Sequence, residues 1–260
     1  MDLRDKQVLL CGASGGIGWA IAEQLAKAGA QLILVGRNEN KLRELQLSLP
    51  GAHRVIIADM NQPGGREKVV QSCQQFGLDL WVNAAGTLDF QLFDQQDGEQ
   101  IQQMLMTNLV SPMLLCQGLL PLLQQRPSST IAFIGSIFGS IGHPGFAAYC
   151  ASKFGLRGFA EALQRELDDS DVRVVYLAPR ATHTDLNSLA VTALNEALGN
   201  SVDSPEKVAE ELMGILASKR RHHYMGWPEN LFVRLNSLFP GLVHKALVKK
   251  LPLIRHHAKS

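Results

Sequence analysis

The chain has 260 residues and a mass of 28.5 kDa, with 46% hydrophobic residues, 19% charged residues and a formal net charge of +1. These values exclude a disordered chain and a small disulfide-held domain, and they favour one α/β domain over residues 1–260 with a sizeable core. The four cysteines lie far apart and lack metal-ligand spacing. They predict buried thiols in a reducing compartment and no metal site.

The start of the chain and its apolar stretches give an expectation for the cellular compartment. Charged residues in positions 2–6 precede only a short apolar run, unlike a secretory signal. No later stretch reaches the roughly 18 uninterrupted apolar residues that a membrane span requires. We therefore expect a cytoplasmic protein.

The first strand and helix enclose a glycine-rich turn. Residues 7–10 are a predicted strand and a helical pattern runs to residue 28, with CGASGGIG between them. Such turns let backbone amides approach a pyrophosphate, and the helix N-terminus faces its charge. The alternative is a tight turn without a ligand. The predicted contacts to a dinucleotide are Gly12, Ser14, Gly15, Gly16, Ile17 and Gly18.

The end of the second strand, residues 31–35, indicates which dinucleotide binds. NAD-binding units usually place an acid there to bind the ribose 2′-hydroxyl, whereas this chain has Gly36, Arg37 and Asn38. An arginine pairs with a 2′-phosphate, so we favour NADP(H) over NAD(H) and expect Arg37 and Asn38 to contact it. In the alternative, Arg37 is solvated and Glu39 binds the ribose.

The next two strands extend the same predicted site. Helices are predicted over residues 40–49 and 67–76, and strands over 55–58 and 78–82. Asp59 and Met60 follow the first of these strands at its carboxyl end, where open α/β sheets bind ligands. Asp59 could bind an adenine amino group or merely cap the next turn. Four residues after the second strand could pack closely on a cofactor: Asn83, Ala84, Ala85 and Gly86.

The chemistry-bearing residues lie in the second half of the chain. Residues 131–135 form a predicted strand that ends at Ser136, and residues 147–167 form a predicted helix. On that helix Tyr149 and Lys153 are four residues apart, so the phenol and the ammonium share one face. A nearby ammonium should lower the tyrosine pKa from about 10 toward neutral, where the phenol can transfer a proton.

Together, the motifs resemble those of the classical short-chain dehydrogenase/reductases over about residues 5–215. The glycine turn is similar to the TGxxxGxG loop with Cys11 for Thr, and residues 83–86 are similar to NNAG with Ala84 for Asn. The family's catalytic tetrad is matched by Asn108, Ser136, Tyr149 and Lys153. The resemblance implies an α/β, single-domain Rossmann fold with a doubly wound parallel sheet of about seven strands and helices on both faces.

The resemblance also implies an activity. Tyr149 would transfer the proton and Ser136 would hold the substrate oxygen, while Lys153 lowers the tyrosine pKa and holds the nicotinamide ribose. Asn108 would position a water that links Lys153 to solvent. The expected enzyme is an NADP(H)-dependent carbonyl reductase or alcohol dehydrogenase for a hydrophobic ketone, 3-oxoacyl or secondary alcohol substrate. The alternative is a non-catalytic NADP(H)-binding sensor or scaffold with the same fold.

After the sixth predicted strand, residues 172–177, the chain departs from the family. Arg180 stands where the family usually has glycine, which adds a cation near the nicotinamide. Thr184 matches a family threonine that contacts the cofactor, and residues 181–201 correspond to the variable substrate lid. The further expected cofactor contacts are Pro179, Arg180, Thr182 and Thr184. The expected substrate pocket contains Ser136, Phe138, His143, Tyr149 and Arg180, although a solvated His143 is the alternative.

Beyond a predicted helix over residues 205–217, the charge becomes strongly basic. From residue 219 there are nine Lys or Arg and one acid, Glu229, so this part carries about +8 and the preceding body about −7. Residues 227–260 show apolar positions at helical spacing, interrupted at Pro240. This basic amphipathic extension could lie on anionic lipid at the inner face of a membrane, dock an acidic carrier protein, or fold over the substrate cleft or a neighbouring subunit. No base-reading pattern accompanies the charge, so nucleic acid is not expected. Family resemblance implies a small-molecule substrate and a homodimer or homotetramer.

Overall fold

The fold is built around one parallel sheet, and the computed structural model describes residues 1–258. Its strands are β1 (Gln7–Cys11), β2 (Gln31–Gly36), β3 (Arg54–Ile57), β4 (Leu80–Asn83), β5 (Ser129–Ile134), β6 (Val172–Ala178) and β7 (His222–Tyr224). They lie in the order β3-β2-β1-β4-β5-β6-β7. The chain therefore extends the sheet in both directions from β1, and the carboxyl ends of all the strands form one edge.

Helices cover both faces of this sheet, which confirms the predicted Rossmann fold. They are α1 (Gly16–Lys27), α2 (Glu39–Ser48), α3 (Pro63–Phe76), α4 (Gly98–Leu105), α5 (Ser111–Gln124), α6 (Ala147–Glu166), α7 (Leu189–Leu198), α8 (Pro205–Ala217), α9 (Glu229–Leu238) and α10 (Pro240–His257). One predicted boundary was wrong: α3 begins at Pro63 rather than at residue 67. Proline is favoured in the first helical turn, where its missing N–H costs nothing.

Two apolar layers sandwich the sheet. In β1, Val8 and Leu10 face one layer while Leu9 and Cys11 face the other, because successive strand side chains point to opposite faces. Helices α1 and α8 cover the first layer, and α3, α5 and α6 cover the second. All four cysteines are buried and free, as predicted, and burial raises the pKa of the Cys11 thiol to about 12.

One helical run bears on the expectation drawn from apolar stretches and leaves it a prediction. Helix α4, a π-helical turn at Met106–Val110 and α5 form a run over Gly98–Gln124 that is long and apolar enough to cross a membrane. Polar residues interrupt it, so a search for unbroken apolar sequence does not find it. In this fold α4 packs against α6 and α5 against α3, and the run carries Asn108 into the interior. Length and composition alone fit both a core helix of a domain and a membrane-spanning helix.

The turn between β1 and α1 has no room for side chains. Gly12 has a φ of 77°, and a Cβ atom on it would lie 2.6 Å from the backbone nitrogen of Ala85. A Cβ atom on Gly18 would overlap the carbonyl oxygen of Gly12. The glycines therefore allow the turn to pack directly against the chain that follows β4.

We predict that Gly18→Ala destabilises the fold by more than about 2 kcal/mol, because the new methyl group cannot avoid backbone atoms. The matched control is Gly214→Ala in α8, where an added Cβ atom meets nothing within 4 Å. This control should raise stability by up to about 1 kcal/mol, since alanine favours helix more than glycine does. Urea unfolding measures both, and equal stability of Gly18→Ala and the parent chain would contradict the packing described.

Candidate active site

Three of the predicted catalytic side chains meet at the carboxyl end of β5. Ser136 follows this strand, and its hydroxyl is close enough to the phenol of Tyr149 on α6 to act on the pKa of that phenol. One helical turn later, the ammonium of Lys153 donates to the carbonyl oxygen of Ile134 at 3.3 Å and lies 5.7 Å from the centre of the Tyr149 ring. The i, i+4 spacing predicted this shared face correctly.

Asn108 lies in the π-helical turn between α4 and α5, a distortion that is frequent at functional sites. Its amide nitrogen donates to the carbonyl of Thr87 at 2.9 Å and to the hydroxyl of Ser152 at 3.0 Å, and its oxygen accepts from the Thr87 amide at 2.7 Å. A Cβ atom on Gly86 would lie 3.4 Å from Asn108 and 3.5 Å from Lys153. Asn108 therefore fixes the chain beside Lys153, and its predicted role in holding a water stays a prediction.

The pKa of Tyr149 differs from the expectation. Burial raises the pKa of the phenol to about 12, and the nearby Ser136 hydroxyl opposes this only in part. The expectation that Lys153 brings this pKa toward neutral was therefore wrong. The reason is that the ammonium is itself desolvated and donates to Ile134. Tyr149 thus holds its proton at neutral pH, the form that acts as an acid.

Lys153 is buried beside these groups. Burial lowers the pKa of its ammonium to about 8, because a charged amine loses its hydration in the interior. At neutral pH the group still carries a proton that it can readily give up. A residue with this property next to a phenol is well placed to move protons.

The adenosine end of the predicted cofactor site lies at β2. The Ser14 hydroxyl is 3.1 Å from where a Cβ atom of Gly36 would be, and the next residue, Arg37, is exposed. Asn38 caps α2, since its side chain accepts from the backbone amide of Lys41 at 3.1 Å. The Ser14 hydroxyl therefore lies against Gly36, the last residue of β2, and Arg37 is the next residue in the chain.

The alternative ribose ligand, Glu39, lies on the first turn of α2. Its carboxylate is 3.5 Å from the Arg43 guanidinium, one turn further along the helix. Asp59 is used locally, because its side chain accepts from the backbone amide of Asn61 at 3.0 Å. Capping of the next turn, one of the two interpretations of Asp59, is thus present. The carbonyl of Met60 accepts from Arg66 at 2.7 Å, and the Met60 side chain packs against the core.

The glycine turn and the end of β4 have the properties of a dinucleotide site. No side chain caps the N-terminus of α1, so its first amides remain open to an anion. Asn83 is buried, and its amide nitrogen has no hydrogen-bond partner within residues 1–258. The Ala84 amide donates to the Cys11 carbonyl at 3.0 Å, which places residues 83–86 against the turn. These residues fit a bound nicotinamide dinucleotide.

A cavity of about 450 Å³ begins at Tyr149 and extends away from the sheet. Aromatic rings form its wall: Phe138 lies edge-on to Tyr149 at 6.4 Å and stacks on His143 at 4.9 Å. The His143 Nδ1 atom is 2.8 Å from the Pro144 carbonyl, an acceptor, so Nδ1 carries the proton. Burial lowers the pKa of His143. The five predicted pocket residues all line this cavity: Ser136, Phe138, His143, Tyr149 and Arg180.

Residues after β6 close one side of the cavity. Pro179, Thr182 and Thr184 line it together with Ile17 from the glycine turn. The Thr184 methyl group is 3.0 Å from where a Cβ atom of Gly16 would be, so the predicted lid touches the turn directly. Helix α7, within the predicted lid, adds apolar side chains to the wall. The lid's role stays a prediction, and its position over the cavity agrees with it.

Arg180 has acidic partners that the sequence analysis did not identify. Its guanidinium forms two hydrogen bonds with Asp203, at 2.8 and 2.9 Å, and one with Glu229 at 3.2 Å. Asp203 also pairs with Lys207 at 2.9 Å. Two acids therefore neutralise the extra cation, and its predicted contact with the nicotinamide stays a prediction. Arg180 fastens the start of α9 to the segment between α7 and α8.

The C-terminal helices contribute cavity residues that the sequence did not identify. Phe232 from α9, together with Leu247 and Lys250 from α10, lines the cavity. Val233 and Val243 pack on Ile141 in the loop before α6. Of the interpretations of the extension, folding over the cleft is the one that the structure shows. The last two residues of the predicted extension, 259–260, lie outside the described residues.

A signal for this arrangement was present in the sequence. A buried arginine needs an acid, and Glu229 is the only acid in the basic extension. Arg180, which replaces the usual glycine, could therefore have been paired with the isolated Glu229 from the sequence alone. The apolar periodicity of α10 gave no such signal, because it did not specify which surface the helix covers.

Comparison with known proteins agrees with this geometry. A family profile described as short chain dehydrogenase matches residues 6–194. The chain belongs to the short-chain dehydrogenase/reductase family. "Dehydrogenase/reductase SDR family member 7B" from Bos taurus is 30% identical over 268 residues, covering 95% of this chain and 82% of the relative. "3-oxoacyl-[acyl-carrier-protein] reductase FabG" from Escherichia coli is 32% identical over 188 residues, covering 72% of this chain and 77% of the relative.

Solved structures of this oxidoreductase family share the fold. A short-chain dehydrogenase from Streptomyces avermitilis superposes with a TM-score of 0.81 at 24% identity, covering 95% of this chain and 98% of the other. A dehydrogenase/reductase from Sinorhizobium meliloti gives a TM-score of 0.75 at 25% identity, with 82% and 88% covered. The likeness thus extends over the sheet and the C-terminal region.

We predict that Lys153→Met stabilises the fold at neutral pH while removing activity. The folded-state pKa, about 8, lies below the ordinary value of 10.5, so burying the charged amine destabilises the parent chain below pH 8. This penalty disappears as the pH rises from 8 to 10.5. In that range the amine is protonated in the unfolded chain but not in the folded chain, so raising the pH favours the folded chain. At pH 7 the gain in unfolding free energy should be about 3 kcal/mol.

Urea unfolding at several pH values measures this difference. Lys27→Met, on the exposed face of α1, is the matched control and should show no such pH-dependent gain. A constant difference between Lys153→Met and the parent chain from pH 7 to 10.5 would contradict the burial of a charged amine.

Proposed function

We propose that the protein is an NADP(H)-dependent oxidoreductase that interconverts a carbonyl and a secondary alcohol on a hydrophobic substrate. The observation that carries the proposal is the meeting of Ser136, Tyr149 and Lys153 at the wall of an apolar cavity. The glycine turn lies beside them at the same edge of the sheet. A substrate in the cavity and a dinucleotide on the turn would therefore approach each other at Tyr149.

The chain's own groups supply the acid–base chemistry. Bound NADP(H) supplies or accepts the hydride. In the reductive direction Tyr149, which is protonated at neutral pH, gives its proton to the substrate oxygen. Ser136 donates a hydrogen bond to that oxygen as negative charge develops on it. Lys153 stabilises the resulting phenolate, and a pKa of about 8 lets it return a proton.

The cavity supports a hydrophobic substrate. Its walls include Phe138 and Phe146 near Tyr149, with Val191, Leu194 and Phe232 further out. A volume of about 450 Å³ accommodates a medium-sized ketone or part of an acyl chain. A 3-oxoacyl group fits this shape, and relatives named 3-oxoacyl-[acyl-carrier-protein] reductase support the same substrate class.

The charges at the end of β2 support NADP(H) rather than NAD(H). Arg37 is exposed and follows Gly36, against which the Ser14 hydroxyl lies, while Glu39 at the start of α2 pairs with Arg43. A ribose 2′-phosphate would gain a guanidinium and a hydroxyl here. A 2′-hydroxyl would lack its usual carboxylate.

We further propose a homodimer or homotetramer in the cytoplasm. Met113 and Leu114 on α5 and Phe154 on α6 are large exposed apolar side chains on two helices that cover the same face of the sheet. A second copy of the chain could cover them, since contiguous apolar surface marks association sites. The four free, buried cysteines suit a reducing compartment.

We predict that Tyr149→Phe lowers turnover by about 10²- to 10⁴-fold, because the proton donor is lost. NADPH oxidation with a panel of aldehydes, ketones, quinones and 3-oxoacyl thioesters measures the effect. Tyr224→Phe in β7 is the matched control, since Tyr224 does not line the cavity, and it should keep full activity. Tight NADPH binding with no turnover on any substrate would favour the alternative, a non-catalytic sensor or scaffold.

We predict that Arg37→Glu lowers the preference for NADPH over NADH by about 10- to 100-fold, the value of a charge-assisted hydrogen bond. Arg220→Glu introduces the same charge change at an exposed position before β7, at the amino end of the sheet, and should leave the preference unchanged. Dissociation constants of both cofactors, measured by fluorescence titration, give the ratio. An unchanged ratio in Arg37→Glu would place the 2′-phosphate elsewhere.

A further inference from the structure

The corner between α9 and α10 is unusually apolar for an exposed turn. Five consecutive residues, 238–242, are exposed, and three of them are large and apolar. The exposed fractions are 72% for Leu238, 57% for Phe239 and 60% for Leu242. We call these three side chains the hydrophobic corner. Isolated exposed apolar residues are common on proteins, but a contiguous protruding group marks an interaction site.

The same two helices carry unpaired positive charge. Five cations accompany the hydrophobic corner, and within residues 1–258 none of them forms an ion pair. No Asp or Glu follows Glu229 in the sequence. The two helices therefore present cations and apolar side chains without acidic residues between them. The cations are Arg234, Lys245, Lys249, Lys250 and Arg255.

The opposite side of these helices is already occupied by the body of the protein. The Asn236 amide donates to the Ser140 carbonyl at 2.9 Å, and Val233, Val243 and Ile254 are buried. Both helices are thus anchored in place. The exposure of the hydrophobic corner follows from the fold, because turning it inward would expose residues that now form the cavity wall.

We propose that α9 and α10 bind the surface of an anionic phospholipid bilayer. In this arrangement the hydrophobic corner enters the boundary of the acyl chains. Lys245 and Lys249 lie three and seven residues after Leu242 on the same face of α10, and they contact headgroup phosphates. Trp227, which is 74% exposed just before α9, suits the headgroup level, where tryptophan is enriched.

A bilayer explains both features of this surface together. An acidic protein partner would pair with the cations but would need a matching groove for three protruding side chains. A second copy of this chain has the same requirement. A lipid surface accepts protruding apolar groups of any shape and supplies negative charge. The binding concerns the outer side of the helices and does not depend on the proposed activity.

The test is co-sedimentation of the full chain with vesicles of phosphatidylcholine alone or mixed with phosphatidylglycerol. The parent chain should pellet with the anionic vesicles and stay in solution with the neutral ones. A triple variant, Leu238→Ser, Phe239→Ser and Leu242→Ser, should reduce the partition coefficient at least about tenfold. The matched control, Leu47→Ser on α2, removes another highly exposed leucine and should bind as the parent does.

A second variant tests the charge. Lys245→Gln with Lys249→Gln should weaken binding by about fivefold for each lysine, and added salt should weaken the parent similarly. Equal pelleting of the triple variant and the parent, equal binding to neutral and anionic vesicles, or no pelleting at all would overturn the proposal. The proposal would also fail if vesicle binding is absent and the triple variant instead abolishes a concentration-dependent dimer or a complex with an acyl carrier protein. Circular dichroism and NADPH affinity show whether each variant is folded.

Discussion

The desolvated ammonium of Lys153 is the group around which the candidate site is arranged. It lies at the end of β5, donates to the Ile134 carbonyl and has Asn108 and Gly86 as neighbours. The surrounding structure holds it there although burial lowers its pKa, which is a cost to stability. Proteins accept such a cost where chemistry needs it, because a proton carrier must be able to release its proton. Three features hold the Lys153 ammonium in this position: the π-helical turn, the glycine after β4, and the position of Lys153 on α6.

The sequence predicted most of the frame for a physical reason. Strand and helix periodicity, glycine turns and the i, i+4 relation of Tyr149 and Lys153 are local properties, so they can be recognised without tertiary contacts. The position of Ser136 beside Tyr149 followed from the carboxyl edge shared by parallel strands together with the family resemblance. The pKa of Tyr149 could not be predicted from these local properties. It depends on how completely water is excluded, and exclusion is a property of the packed molecule.

Long-range pairing accounts for the other differences. Arg180 and Glu229 are far apart in the chain, and their ion pair exists because the C-terminal helices fold back over the cavity. With Asp203 the pair forms a network in which Arg180 is shielded by both acids. Separating the charges would leave at least one of them buried alone, which is costly. Arg180, the residue that departs from the family pattern, therefore connects the C-terminal extension to the rest of the domain through ion pairs.

The roof of the cavity is made by α9 and α10. Phe232, Leu247 and Lys250 reach the substrate space from helices that follow all seven strands, and none of them belongs to the catalytic group. Mutations in this segment can reshape the cavity while β5 and α6 keep the reacting groups in position. Substrate choice can therefore change through substitutions in α9 and α10 alone, with the acid–base machinery left intact.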